Sequence, residues 1–287
     1  MIKPLAIIFS TLIFIAPAEA FYGREATIGE DLKFSAQVEE FKSSSFIRNA
    51  VFSPTTKTNK PGPGMVLLPA CAGIHSRAEN DLKVWVKAFV DAGYTVLVVD
   101  HYQPRNAGKN CGGSRYRTVA EGRLVKDLYD AVEHLSKIPG VDKNRIFTFG
   151  LSLGTMVSGL AASQDVYQQV ADGRLRPRAV GGLYGGCDYG RGGKYLFNDT
   201  NIPVLWLMGS DDKETPPEDC VPTLKVIEKK VKVDWHIYEG AGHCWDCKEL
   251  HGFKKQSPTG VHVTYLYDEK ITNDSIKRSI DFYNSFK

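Results

Sequence analysis

The sequence has little of what would make it a membrane, nucleic-acid or multidomain protein. It contains no apolar run approaching the roughly 20 residues that cross a bilayer. The longest such run, Leu5 to Ala16, is too short for a span. Net charge is almost absent, since 36 Lys and Arg against 33 Asp and Glu leave only +3 over 287 residues. Neither nucleic acid nor an anionic membrane is implied as a partner. There is no repeat with a period of roughly 20–50 residues and no Ser- or Pro-rich linker, so residues 21–287 read as one domain of ordinary size. The biased patches are a Pro/Gly turn at Pro61-Gly62-Pro63-Gly64 and a Gly-rich stretch from Gly181 to Gly193.

The short apolar run has its own meaning. Lys3 precedes it and Ala18-Glu19-Ala20 follows, the charged start and small-x-small end of a signal peptide cleaved after Ala20. Position 21 is Phe rather than Cys, which argues against the bacterial lipoprotein route. Export, to a periplasm or the medium, is the expectation, with no membrane attachment after cleavage. The six cysteines, Cys71, Cys111, Cys187, Cys220, Cys244 and Cys247, then favour disulfides, whose pairing sequence alone leaves open. His243-Cys244-Trp245-Asp246-Cys247, with His251 beyond, also invites a zinc or a redox reading. A structural zinc site wants a second close ligand pair, which is lacking, and a thioredoxin-like centre wants its C-x-x-C opening a helix in a smaller fold. No metal and no cofactor is called for. Asn198-Asp199-Thr200 and Asn273-Asp274-Ser275 match glycosylation acceptors in a eukaryotic source.

Aliphatic runs alternate with helical periodicity along the rest of the chain. An antiparallel edge strand is expected between about Glu40 and Phe52, then strands at Gly64 to Pro69, Thr95 to Val99, Arg145 to Phe149, Val180 to Tyr184, Val204 to Met208 and Val233 to Tyr238. Helices are expected over Glu79 to Ala92, Thr118 to Lys137, after the Arg145 strand, near Glu218 to Lys230 and over Thr272 to Phe286. This alternation predicts a mostly parallel central sheet with helices on both faces, an α/β class. Ligands then bind beyond the carboxyl ends of the strands.

The chemistry lies at those ends. Gly150-Leu151-Ser152-Leu153-Gly154 follows the Arg145 strand, and a serine on such a strand-to-helix turn is left exposed as a nucleophile. Gly209-Ser210-Asp211-Asp212 follows the Val204 strand, and Gly240-Ala241-Gly242-His243 follows the Val233 strand. Nucleophile, acid and histidine thus run in the order Ser…Asp…His. His75, His101, His236 and His251 lack that placement. The backbone N–H of Leu153, immediately after the nucleophile, is a candidate oxyanion donor.

The chain therefore resembles the α/β-hydrolase fold, and within it the dienelactone hydrolase-like family, from about residue 40 to the end. The stretches that carry the resemblance are Val66 to Gly73, Val98 to Arg105, the Ser152 turn, Gly209 to Pro216 and Gly240 to His243. The resemblance implies a triad of Ser152, Asp212 and His243, with Asp212 rather than Asp211 because the family spacing fits Gly209, Asp212, Thr215 and Pro216. It also implies an oxyanion hole formed by the N–H groups of Cys71 and Leu153. Tyr102 and Arg105, after a central strand, are candidate substrate contacts, and Trp245 is a candidate pocket wall or a structural aromatic. Two departures stand out: family members named for dienelactone hydrolysis use a cysteine where this chain has Ser152, and the His-Gly of many relatives is Pro69-Ala70 here. The expected partner is a small-molecule carboxylic ester or lactone, hydrolysed through an acyl-enzyme. A peptidase or acyltransferase on the same fold, or a catalytically silent binding protein, are the alternatives. Ala171 to Arg178 and Lys248 to Val261 are segments where an insertion near the site could sit.

Overall fold

The computed structural model describes residues 51–54, 60–74, 76–102, 107–111, 119, 121–187, 197–257 and 260–286. The expected signal segment, most of the expected Glu40 to Phe52 strand and Arg105 lie outside the described residues.

Among the described residues seven strands form the central sheet: β1 (Val51–Phe52), β2 (Gly62–Leu68), β3 (Thr95–Val98), β4 (Val141–Leu151), β5 (Val180–Leu183), β6 (Val204–Gly209) and β7 (Val233–Tyr238). Their order is β1-β3-β2-β4-β5-β6-β7. Only β1 runs antiparallel, against β3, as expected of an edge strand. Among the described residues six helices accompany the sheet: α1 (Ser76–Asp91), α2 (Glu121–Leu135), α3 (Leu153–Ala162), α4 (Gln164–Val170), α5 (Pro217–Ile227) and α6 (Glu269–Asn284).

The apolar runs are explained by burial on both faces of a parallel sheet. Along β2, Met65 and Leu67 face the layer formed by α1 and α6, while Val66 and Leu68 face the layer formed by α2 and α3. Val96 and Val98 of β3 join the first layer and Leu97 the second, the period-2 alternation of strand side chains. Aromatic rings fill the first layer: Trp85 of α1 lies 4.5 Å from Phe149, and Tyr283 of α6 donates its hydroxyl to the Thr148 carbonyl at 2.7 Å.

Chain direction across the sheet reverses at β2, with β3 on one side and β4 on the other. Such a switch leaves a crevice at the carboxyl ends of its strands. Leu68 pairs with Gly150 there, so the loop leaving β2 and the turn leaving β4 emerge side by side.

Three segments differ from expectation and a fourth agrees with it. β4 is longer than Arg145 to Phe149, because Val141, ahead of the polar Asp142-Lys143-Asn144, still pairs with Gly62. The Pro61-Gly62-Pro63-Gly64 patch does not stay a turn: β2 begins inside it at Gly62. The Ala171 to Arg178 segment lies at the opposite end of the sheet from the crevice, where the Arg178 N–H reaches the Ile146 carbonyl at 2.7 Å and Arg174 pairs with Asp130 of α2. Lys248 to Val261 does build an added unit, a 3₁₀ turn (Lys248–Leu250) and the strands β8 (Lys254–Gln256) and β9 (His262–Thr264), paired as a separate hairpin.

Candidate active site

Ser152 stands between β4 and α3 with φ 52° and ψ −112°. A non-glycine residue held in such a conformation costs about 1–3 kcal/mol and persists only where its surroundings impose it. Here they do. The Ser152 N–H donates to Leu183 O at 3.1 Å, and its carbonyl accepts from Thr155 and Met156. The Thr155 hydroxyl, 2.7 Å from both Gly150 O and Leu183 O, ties α3 to two strands. The flanking glycines are steric necessities. A β-carbon on Gly150 would sit 2.1 Å from the Gly154 carbonyl carbon, and one on Gly154 would sit 2.3 Å from Leu68 O.

His243 reaches this serine from the loop after β7. Its Nε2 lies 2.9 Å from Ser152 Oγ, and its Nδ1 lies 2.7 Å from Asp212 Oδ2. The hydrogen-bond network assigns the Nδ1–H tautomer, so that Nε2 faces the serine hydroxyl as an acceptor. Asp212 is almost wholly buried, whereas Asp211 is exposed. Asp212 Oδ1 accepts from the N–H groups of Glu214 at 2.8 Å and Thr215 at 3.0 Å, and the Thr215 hydroxyl lies 2.7 Å from Oδ2. Burial opposes the Asp212 charge, but the His243 ring and the Thr215 donors outweigh it and hold the carboxyl below the usual carboxylate range. Burial likewise opposes the imidazolium, but Asp212 prevails and raises the His243 pKa above the ordinary histidine value. Such a chain can take a proton from Oγ and hold it while a carbonyl is attacked.

Leu153 is the first residue of α3, so its N–H has no acceptor within the helix. Cys71 lies on the loop leaving β2, where it is bonded to Cys111 and its carbonyl accepts from the Asn110 N–H at 2.8 Å. Close approach of Gly154 to the Leu68 and Pro69 carbonyls sets that loop against the Ser152 turn. The Tyr102 ring is only 5% exposed and packs over Gly73, so it supports the Cys71 loop from below. Trp245 is fully buried and faces away from solvent. Its indole N–H donates to Ser275 Oγ at 3.0 Å, and its ring meets Tyr184 and Tyr238 edge-on. It is a core aromatic beneath the histidine loop, the structural one of its two readings.

The remaining cysteines pair as Cys187–Cys220 and Cys244–Cys247. Among the described residues, Cys244, Asp246 and Cys247 form the one cluster with metal-ligand proximity, but both sulfurs are committed to the disulfide.

Several neighbours of the histidine carry no sequence signal of their own. Tyr184, at the carboxyl end of β5, lays its ring 4.6 Å from the His243 ring; only the strand-end position rule would have flagged it. Tyr265 follows β9, and its ring lies 6.0 Å from His243. Lys255 of β8 pairs with Glu214 at 2.8 Å and lies 5.0 Å from the Tyr265 ring. The hairpin is thereby fastened beside the Asp212 loop.

A model of the dienelactone hydrolase family matches residues 47–287. Solved structures agree in fold. A Klebsiella pneumoniae chain classed as a dienelactone hydrolase has a TM-score of 0.59 at 17% identity, covering 80% of this chain and 90% of that one. Thermogutta terrifontis esterase 2 has a TM-score of 0.58 at 12% identity over 83% and 86%. A dienelactone hydrolase-like promiscuous phosphotriesterase from metagenomic libraries has a TM-score of 0.55 at 17% identity over 79% and 88%. Among curated proteins, polyketide transferase ATR5 of Stachybotrys chlorohalonatus is 34% identical over 104 residues, which is 36% of this chain and 33% of that protein. Acyltransferase drtE of Aspergillus calidoustus is 31% identical over 106 residues, 37% of this chain and 32% of its own. The match spans about a third of the length of these curated relatives.

Proposed function

Because the chain belongs to the dienelactone hydrolase family, we propose that it is an exported serine hydrolase that cleaves carboxylic esters or lactones through an acyl-enzyme on Ser152. The observation that carries this reading is the unbroken contact chain Ser152 Oγ, His243 Nε2, His243 Nδ1, Asp212 Oδ2.

Ser152 Oγ attacks the carbonyl carbon as His243 Nε2 takes its proton, since a free serine hydroxyl is a poor nucleophile at neutral pH. The carbonyl π electrons move to oxygen, which is received by the N–H groups of Leu153 and Cys71. The tetrahedral adduct collapses, the bond to the leaving oxygen breaks, and the proton on Nε2 passes to that oxygen. Water, deprotonated by His243 Nε2, then attacks the acyl carbon; the bond from that carbon to Ser152 Oγ breaks, the proton on Nε2 returns to Oγ, and the free acid leaves. Asp212 holds the imidazole in the required tautomer throughout and balances its transient charge.

Three disulfides among the described residues suggest an oxidising compartment outside the cytosol and support export through the Met1 to Ala20 segment. No described helix is long and apolar enough to cross a membrane.

Acyl transfer is the second reading, favoured by the transferase names of the curated relatives. It uses the same acyl-enzyme and differs only in whether water or another alcohol or amine attacks second. Hydrolysis of short and medium p-nitrophenyl esters, wild type beside Ser152→Ala, tests the first reading. Loss of turnover in a folded variant is expected, and retained turnover would remove Ser152 from the mechanism. Product formed with an added alcohol in preference to the free acid would shift the reading to transfer.

A further inference from the structure

We propose that Asp246 is a positioning residue for His243, acting through Tyr184, and a further buried counter-charge for the imidazolium that forms during turnover. This inference rests on the serine hydrolase reading and extends it to a carboxylate outside the triad.

Asp246 lies three residues beyond His243 on the loop closed by Cys244–Cys247 and is only 2% exposed. Burying a carboxylate costs several kcal/mol unless partners compensate. The hydrogen bonds it receives come from neutral groups, Trp85 Nε1 to Oδ2 at 2.8 Å and Tyr184 Oη to Oδ1 at 2.7 Å, with the Cys247 sulfur 3.6 Å from Oδ1. The His243 imidazolium also favours its charge, by less than the hydrogen bonds do.

Tyr184 links the two. Its ring packs 4.6 Å from the His243 ring while its hydroxyl is spent on Asp246. Its carbonyl lies 2.9 Å from the Thr215 hydroxyl, which also touches Asp212. The residue holds φ 38°, a strained value for a tyrosine that its partners on both sides must sustain. One residue thus touches the histidine and Asp246 through its side chain and reaches Asp212 through its carbonyl and the Thr215 hydroxyl.

Other charged groups bear on this arrangement. Asp81 of α1 and Glu249 of the 3₁₀ turn lie near Asp246; burial first, then the charges of Asp246 and Glu249, push Asp81 up to about 8. Asp81 therefore keeps its proton at neutral pH. Burial raises the Asp246 carboxyl above the usual carboxylate range, and the Trp85, Tyr184 and His243 contacts reduce that rise without cancelling it. Tyr267 also feels the Asp246 charge. On the His243 side, Asp212 and Glu214 favour the imidazolium and Lys255 disfavours it.

The test is the pH dependence of kcat/KM and kcat for ester hydrolysis by the full folded chain and its variants Asp246→Asn, Tyr184→Phe and Asp81→Asn, each checked by thermal melting. Removing the Asp246 charge destabilises the imidazolium. The acid limb of kcat/KM is then expected to move to lower pH by up to about one unit, with kcat falling about tenfold and KM nearly unchanged. Tyr184→Phe keeps the ring against His243 and deletes one donor to Asp246, so it should shift the limb in the same direction by less. Asp81→Asn, which mimics the protonated form, should leave the limb in place. A merely structural Asp246 would scale activity without moving the limb. A wild-type acid limb in folded Asp246→Asn, or in Tyr184→Phe where Asp246→Asn does not fold, overturns the proposal. Full activity in Ser152→Ala would instead overturn the hydrolase reading on which it rests.

Discussion

Asp212 Oδ2 and His243 Nδ1 meet at 2.7 Å although 31 residues separate them, because each sits just past the carboxyl end of one of two adjacent parallel strands, β6 and β7. Strand register, rather than loop chance, brings the pair together. Asp212→Asn keeps the shape of the side chain but favours the wrong imidazole tautomer, and turnover should fall about 10⁴-fold, the loss seen in a comparable triad. Asp211→Asn should stay within about twofold of wild type, as expected of an exposed turn residue. Equal losses in both variants, measured as kcat on one activated ester, would refute the assignment of the acid.

The pH profile has a definite sign. Burial lowers and Asp212 raises the His243 pKa, with a net rise. A general base works only when neutral, so kcat/KM should fall with decreasing pH at a midpoint above the ordinary histidine value of about 6.5. A midpoint below that value would contradict the geometry.

Asp81 gives a stability prediction of its own. Its pKa is raised to about 8, first by burial and then by the charges of Asp246 and Glu249. A raised carboxyl pKa means the folded state binds the proton more tightly. Stability is therefore lost as pH rises from the unfolded value of about 3.9 through the folded one. Asp81→Asn should remove that loss, so its Tm advantage over wild type should widen between about pH 5 and 8 and then level off. An advantage independent of pH would argue for a packing effect instead.

The Ser152 turn should tolerate no side chain at its glycines. In Gly154→Ala the new methyl would meet the Leu68 backbone oxygen at 2.3 Å, and backbone cannot rotate away. A loss of at least about 3 kcal/mol is expected, the upper end for an overpacked site. Urea denaturation measures it directly.

The disulfides should separate stability from activity. Cys187–Cys220 closes a sequence separation of 33 and Cys244–Cys247 one of 3. Loop entropy assigns the first about 3–4 kcal/mol and the second about half of that or less. Replacing Cys244 and Cys247 by serine should thus cost less stability than replacing Cys187 and Cys220, yet more activity, because that bridge frames His243. Denaturation midpoints read beside kcat for each double variant decide the matter.

Much of the fold was legible because parallel strands buried on both faces are written as apolar runs, as at Thr95 to Val98 and Val204 to Gly209. The Ser152 turn was legible because its geometry demands glycine twice. The hairpin of β8 and β9 was not, since short strands with exposed Lys254, Gln256, His262 and Thr264 carry no apolar pattern. Tyr102 and Trp245 were singled out for their places in the sequence, next to a strand end and a histidine. Side-chain direction turned both inward, and direction follows from packing that neighbouring residues alone do not encode. Asp246 was hidden for the opposite reason. Its partners, Trp85 and Tyr184, lie 161 and 62 residues away, and no local spacing announces a buried carboxylate.

The central claim is that Ser152 is an activated nucleophile. Its most direct test is mass spectrometry of the protein after brief exposure to a fluorophosphonate, which forms a stable covalent adduct with such a serine. The account predicts one adduct per chain, mapped to the peptide containing Ser152, absent in Ser152→Ala and formed far more slowly in Asp212→Asn. An unlabelled Ser152 in folded protein, or an adduct on another residue that survives Ser152→Ala, would contradict it.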